Sequence, residues 1–222
     1  MNPMSRSTAR LRTGVMTIVV ALLAAQAAFA AGAPRSPAAA PVHASETATF
    51  SGGCFWSMNA IFERLKGVQT VTSGFSGGSV TSPSYEEVCT GTTGHAETVE
   101  ITFDPAVISY RDLLNVFFAF HDPTTPNRQG ADSGTQYRSA IFWHSPAQRA
   151  AATAVIADLT RRHVYGGAIV TQVLPYKAFY PAEGYHQAYY DKNKVQPYCQ
   201  FVIAPKVAKL KKLYGDRLKP SM

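Results

Sequence analysis

Cysteine is scarce in this chain. Its 222 residues hold three, Cys54, Cys89 and Cys199. That number is too small and too odd for a disulfide-stapled mini-domain. It suits a large core with one redox pair and one spare thiol. The six histidines (His43, His95, His121, His144, His163 and His186) are scattered with no C-x-x-C near them, which excludes the usual spacing of a zinc site. No nucleotide or flavin motif occurs. Charge is sparse too: 16% of residues are charged and 46% hydrophobic, an ordinary globular profile that argues against disorder. The formal charge is +7. Without Arg6, Arg10 and Arg12 of the N-terminus, 18 basic residues face 14 acidic ones, or +4. That modest excess does not indicate nucleic-acid binding. Lys206, Lys209, Lys211 and Lys212 recur at helical spacing and read as a solvated helix face.

The N-terminus lacks acidic residues and has one apolar run, Val15 to Ala25, too short for a membrane span. With the three arginines before it and Ala28-Phe29-Ala30 after it, Met1–Ala30 reads as a secretory signal. Residues 31–45 are rich in Ala and Pro and read as a linker. One folded domain is expected over 46–222. The implied compartment is periplasmic or secreted, where thiols oxidise unless a dedicated system reduces them. No membrane insertion is expected after signal cleavage, and a monomer is the default expectation.

Within the domain, Thr47 to Phe50 reads as a strand, broken by Gly52-Gly53 just before Cys54. Phe55, Met58, Phe62 and Leu65 then recur at helical spacing. Ser73 to Pro83 reads as a Gly/Ser-rich loop, and Thr90 to Gly94 as a second. Ala96 to Phe103 alternates as a strand, Ser109 caps a helix, Tyr137 to Trp143 is a strand, and Ser145-Pro146 opens another helix. Ala168 to Leu174 and Phe201 to Ile203 read as strands, and Lys206 to Leu213 as a last helix. The class is α+β: a two-layer sandwich with a mixed β-sheet, packed helices and long loops.

Cys54 is the first candidate for chemistry. A cysteine at a helix start meets free N–H groups and positive dipole potential, which favour the thiolate. The paired glycines are expected to admit a sharp turn and close approach of a substrate. Glu97 shares strand parity with Val99, Ile101 and Phe103. If it is buried on that face, its carboxyl is held neutral and makes a general acid; if it sits in water at the strand start, it does not. Phe55 and Trp56 suggest an apolar pocket wall.

Gly53-Cys54-Phe55-Trp56 resembles the signature of the A-type peptide-methionine sulfoxide reductases. So do, in order, Gly74-Phe75-Ser76-Gly77-Gly78, Tyr85-Glu86-Glu87-Val88-Cys89 and Gly91-Thr92-Thr93-Gly94-His95-Ala96-Glu97. His121-Asp122-Pro123-Thr124, Asn127-Arg128-Gln129-Gly130, Asp132, Gly134-Thr135-Gln136-Tyr137-Arg138-Ser139 and Tyr185-His186-Gln187 with Tyr189-Tyr190 complete the set. The resemblance spans about Phe50 to Leu213. It implies a peptide-methionine (S)-S-oxide reductase acting on oxidised proteins and free methionine sulfoxide. In that reading Cys54 attacks the sulfoxide sulfur and Glu97 protonates its oxygen. Tyr85 and Tyr137 bond that oxygen, Asp132 helps fix the site, and Phe55 and Trp56 hold the methyl group, with His186 in support. Cys54 becomes a sulfenic acid, which a second thiol converts to a disulfide. Cys199 is the best candidate for that thiol, and Cys89 a bystander. A thioredoxin-like dithiol then restores the enzyme, with no cofactor or metal.

Two departures are evident. Ser57 and Met58 stand where glycine commonly follows the tryptophan, and are expected to reshape the pocket edge. Phe75 stands where tyrosine is common. The rival readings are a secreted cysteine hydrolase pairing Cys54 with His95 or His186, and a non-catalytic binding module with a structural Cys54.

Overall fold

The computed structural model describes residues 44–220. The expected signal segment and nearly all of the linker lie outside the described residues. In chain order the elements are β1 (Glu46–Gly52), α1 (Phe55–Phe62), β2 (Val68–Ser76), α2 (Tyr85–Cys89), β3 (Ala96–Phe103) and α3 (Tyr110–Ala119). There follow β4 (Arg128–Gln129), β5 (Asp132–Ser133), β6 (Ser139–Trp143), α4 (Pro146–Arg161), β7 (Gln172–Pro175), β8 (Phe179–Pro181), α5 (Tyr189–Lys192) and α6 (Ala204–Tyr214). No helix among the described residues is long and apolar enough to cross a membrane.

Six strands form one sheet in the order β7-β6-β1-β3-β2-β8, and β4 pairs with β5 in a separate ribbon. The β6–β7 pair is parallel and the others antiparallel, so the sheet is mixed. This is the α+β architecture the sequence pattern implied. The register sets Phe50 opposite Val99 on one side and Ile141 on the other. That face carries the main core, where Phe50 meets Phe62 at 5.8 Å and Phe117 at 5.1 Å between ring centroids. The opposite face of β1 is also buried: Thr49 bonds His144 Nε2 at 2.8 Å, and Ser51 donates to the Arg138 carbonyl at 2.7 Å. Hydroxyls are tolerated there because each has a partner.

Helix starts follow the sequence signals closely. Ser109 and Asp112 form a capping box at α3, and Ser145 caps α4 with Pro146 behind it. Some segments differ from expectation. The strand read over Ala168 to Leu174 begins only at Gln172, and that read over Tyr137 to Trp143 begins at Ser139. Ser73 to Ser76, expected within a loop, belongs to β2. Its glycine is there for crowding rather than for a turn: a Cβ on Gly74 would lie 2.4 Å from the Tyr180 carbonyl oxygen of β8. Phe201 to Ile203, expected as a strand, lies in a π-helix over Cys199–Ile203 that runs directly into α6. Pro205 supplies the reason. It has no N–H to donate back to Phe201, and its ring crowds that carbonyl. The turn widens, and Ala204 N–H reaches the Cys199 carbonyl instead.

Replacing Gly74 with alanine should therefore push β8 off the sheet edge. A loss of about 1–3 kcal/mol is expected from overpacking, measured as a lower urea midpoint at unchanged slope. An unchanged midpoint would mean that β8 is not held against Gly74 in solution.

Candidate active site

The site grows from the junction of β1 and α1. Gly53 has φ +88°, a left-handed conformation open to glycine. A side chain at Gly53 would also strike Gln129 Cγ at 2.4 Å, and one at Gly52 would strike Met58 Cε at 2.9 Å. Gly53 makes the sharp turn expected of it, and neighbouring side chains crowd both glycines. The turn delivers Cys54 as the N-cap of α1.

Two free N–H groups of that helix end are put to different uses. Phe55 N–H donates to Glu97 Oε2 at 3.0 Å, and Trp56 N–H serves the Cys54 sulfur. Glu97 is brought there by the β2–β3 register, which sets it opposite Phe75. Phe75 in turn packs against Phe55 at 5.9 Å. Glu97 is 1% exposed, and its pKa is pushed up to about 8. Burial dominates and the Asp132 charge adds to it, while the Phe55 N–H and the Cys54 thiol favour the charged form. The parity reading that put Glu97 on the buried face therefore holds, and the exposed alternative falls.

The expectation for Cys54 does not hold. The residue is nearly buried, at 8% exposure. Burial raises its pKa far above the ordinary thiol value, and the Glu97 charge raises it further. The Tyr198 hydroxyl and Trp56 N–H oppose this without overcoming it. A helix N-terminus provides partial charge, whereas removing a thiolate from water costs more. Burial thus favours the protonated form of the Cys54 thiol beside the Glu97 carboxyl.

Around this pair the hydroxyls of Tyr85 and Tyr137 are held as neutral donors, first by burial and then by the Glu97 charge. Asp132, in β5, accepts from Tyr198 Oη at 2.7 Å, and Tyr198 also reaches Cys54 Sγ. Tyr198 is the site residue that sequence reasoning missed. Its position beside Cys199 was the available signal, but nothing in its spacing separates it from a packing tyrosine.

Phe55 and Trp56, expected as a pocket wall, lie in an aromatic cluster in which Phe55 is buried and Trp56 half-buried. Tyr189 stacks on the indole at 3.7 Å and 6°. Trp56 Nε1 donates to His186 Nδ1 at 2.9 Å. His186 is buried behind the indole and kept neutral by desolvation, so it orients Trp56 rather than lining the pocket. Ser57 and Met58 point into the core, not the pocket edge.

Neither histidine can serve Cys54 as a base. His95 Nδ1 accepts from Gly78 N–H at 3.2 Å and its Nε2 lies 2.7 Å from the Val80 carbonyl. His186 Nε2 faces Glu183 Oε2 at 3.9 Å. The hydrolase reading loses its dyad. Cys89 is exposed at the end of α2, its sulfur bonded by the Tyr85 hydroxyl. Cys199 is fully buried, against Ala60, Ile203 and Val207. No cluster of metal-ligating side chains occurs among the described residues.

With this geometry in place, comparison with known proteins is specific. The family model described as peptide methionine sulfoxide reductase matches residues 46–218. The peptide methionine sulfoxide reductase MsrA of Saccharolobus solfataricus is 53% identical over 174 residues, covering 78% of this chain and 97% of its own. That of Deinococcus radiodurans is 55% identical over 179 residues, covering 81% and 87%. Among solved structures, Mxr1 of Saccharomyces cerevisiae in reduced form is similar with a TM-score of 0.64 and 36% identity, covering 72% of this chain and 91% of that one. Methionine sulfoxide reductase A of Corynebacterium diphtheriae gives 0.62 and 35%, covering 68% and 76%.

A protonated Cys54 should alkylate slowly. At pH 7 iodoacetamide is expected to label exposed Cys89 well before Cys54, read by peptide mass spectrometry. Rapid labelling of Cys54 below pH 7 would show that the thiolate is favoured after all.

Proposed function

The chain belongs to the peptide methionine sulfoxide reductase family, and on that footing we propose how its residues carry the reaction and where it works. The enzyme reduces methionine sulfoxide to methionine. The observation that carries the mechanism is the 3.0 Å hydrogen bond from Phe55 N–H to Glu97 Oε2, which sets a buried carboxyl, its pKa pushed up to about 8, beside Cys54 at the start of α1.

The sulfoxide methyl group packs against Phe55 and Trp56, and its oxygen lies toward Glu97 and the Tyr85 and Tyr137 hydroxyls. Glu97 gives its proton to that oxygen. The carboxylate so formed is the base that the Cys54 thiol lacked, and it takes the thiol proton as Sγ bonds to the substrate sulfur. The hydroxyl then passes from that sulfur to Sγ, releasing methionine and leaving Cys54 as sulfenic acid. Cys199 condenses with it, forming the Cys54–Cys199 disulfide and water. This requires the π-helix to open, since Cys199 is buried. An external dithiol supplies two electrons and two protons to restore both thiols.

The N-terminal signal pattern supports an exported enzyme that repairs oxidised proteins in the periplasm or outside the cell, served by a thioredoxin-like dithiol protein in that compartment. Free methionine sulfoxide is a second substrate. The S epimer is the expected stereochemistry.

Single-turnover reduction of the two epimers of a sulfoxide peptide tests this reading. Pre-reduced wild type should form methionine from the S epimer alone, Cys54→Ser none, and Cys199→Ser one equivalent without recycling by thioredoxin. Normal recycling of Cys199→Ser would remove Cys199 as the resolving thiol. Glu97 is protonated below its pKa, so its contribution is present at low pH and lost as pH rises through about 8. Glu97→Gln should lower kcat/KM by about 10²- to 10⁴-fold and abolish that falling limb. A limb that persists in Glu97→Gln would assign it to another group.

A further inference from the structure

Two buried polar atoms behind Trp56 have no hydrogen-bond partner, Glu183 Oε2 and His186 Nε2. They face each other at 3.9 Å, longer than a hydrogen bond. The other ring nitrogen decides what this pair is. An indole N–H can only donate, so His186 Nδ1 accepts from Trp56 Nε1. The proton of the neutral ring then sits on Nε2. A buried donor thus points at a carboxylate oxygen, and leaving both unpaired is costly. A carboxylate movement of about 1 Å closes the gap to hydrogen-bond length.

The other oxygen of Glu183 is already committed. Oε1 accepts from the N–H of Tyr85, the first residue of α2, at 3.0 Å. One carboxylate therefore stands between Tyr85 and Trp56, reaching the indole through His186. The His186 ring fills the space between them, 4.3 Å from the Tyr85 ring and 5.1 Å from the Phe55 ring. The turn that carries Glu183 is itself tied down. His186 N–H donates to the Glu183 carbonyl at 2.9 Å. Gln187 accepts from Ser73 N–H at 2.9 Å and donates to the Ser73 and Ala182 carbonyls at 2.8 and 2.9 Å. Ser73 lies in β2, the neighbour of the strand that holds Glu97. The turn and the acid thus share one sheet.

We propose that Glu183 is a positioning residue of this enzyme: it fixes the tautomer of His186, and through it the indole of Trp56, in register with Tyr85. The proposal rests on the reading of Trp56 and Tyr85 as groups that hold the sulfoxide. Glu183 acts only through other side chains. Its carboxylate favours the Nε2–H tautomer over Nδ1–H, and only Nε2–H leaves Nδ1 free to accept from the indole. Without that carboxylate His186 can carry its proton on Nδ1, and two N–H groups then oppose each other behind Trp56. An indole turned by that conflict misplaces the substrate methyl group relative to the hydroxyls that receive its oxygen.

Glu183→Gln separates the two arms. Its amide oxygen can still accept from Tyr85 N–H, while its amino group faces Nε2 and favours the wrong tautomer. Nuclear magnetic resonance of ring-nitrogen-labelled histidine should report an Nε2–H ring for His186 in wild type. An Nδ1–H ring there would overturn the proposal before any substitution. Trp143→Phe leaves Trp56 as the one tryptophan of the chain, so its indole N–H resonance can be followed alone. In Glu183→Gln that resonance should move upfield and exchange faster with solvent. With it kcat/KM for a sulfoxide peptide should fall roughly ten- to a hundredfold, at an unchanged urea midpoint. An unmoved resonance, or a moved one at unchanged kcat/KM, would overturn the proposal. So would a loss of activity that follows a lower midpoint, which would make Glu183 a residue of the fold alone. In a Trp56→Phe background, which has no N–H to place, Glu183→Gln should cost little more. A fully additive loss would send its effect by another route and overturn the proposal. Should Trp56→Phe itself turn over normally, the reading of Trp56 as part of the substrate site fails, while the tautomer and the resonance still decide whether Glu183 holds the indole.

Discussion

The hydrogen bond from Phe55 N–H to Glu97 Oε2 is the joint on which this active site depends. It fastens the first turn of α1 to the centre of the sheet, and so fixes Cys54 relative to the Glu97 carboxyl. One N–H does two jobs. It satisfies a helix-end donor that would otherwise be buried without a partner, and it limits how far burial can raise the Glu97 pKa. Without it, the carboxyl would be a stronger holder of its proton and a poorer acid. With more donors it would ionise at neutral pH, and the acid would be lost. The middle value, about 8, is the one at which the group can both give a proton and take one back.

Much of this was legible in the sequence, for identifiable reasons. Strand β3 alternates so cleanly that parity alone put Glu97 on the face of Val99, Ile101 and Phe103, and only the edge position left its burial open. The helix caps at Ser109 and Ser145 are local devices, written within a few residues, and they appear where expected. What escaped depends on distant partners. Gly74 looked like loop chemistry because its crowding neighbour, Tyr180, is more than a hundred positions away. The π-helix was hidden because Cys-Gln-Phe-Val-Ile has strand-like composition, and the effect of Pro205 acts backwards along a helix not yet recognised. Tyr198 was passed over for the same reason. Its value comes from Asp132, across the fold, and not from anything adjacent to it.

The error over Cys54 has a different origin. The helix-start argument counted the favourable partial charge and omitted the solvent taken away. Dipole effects are modest, about 0.3–1 kcal/mol at surface sites, and a thiolate stripped of water loses more. The neighbouring carboxyl compounds the loss once it ionises. Cysteine activation here is therefore not a property of the resting residue. In the proposed mechanism it is created by the substrate, because protonation of the sulfoxide oxygen produces the carboxylate that deprotonates the thiol.

The same principle organises the whole pocket. Cys54, Glu97, Tyr85, Tyr137 and Tyr198 are all driven toward their uncharged forms by burial, and His186 is kept neutral behind Trp56. A sulfoxide is itself an uncharged dipole with an apolar methyl group, so a neutral, aromatic-walled site accepts it without stripping water from an ion. Charge then develops inside the site during reaction, where oriented hydroxyls meet it in a low-dielectric setting and need no reorganisation. An enzyme that held a thiolate at rest would begin with its nucleophile ready, but it would expose that sulfur to any oxidant reaching it. In the proposed mechanism, holding the proton on Cys54 until a sulfoxide accepts one from Glu97 links reactivity to the presence of substrate.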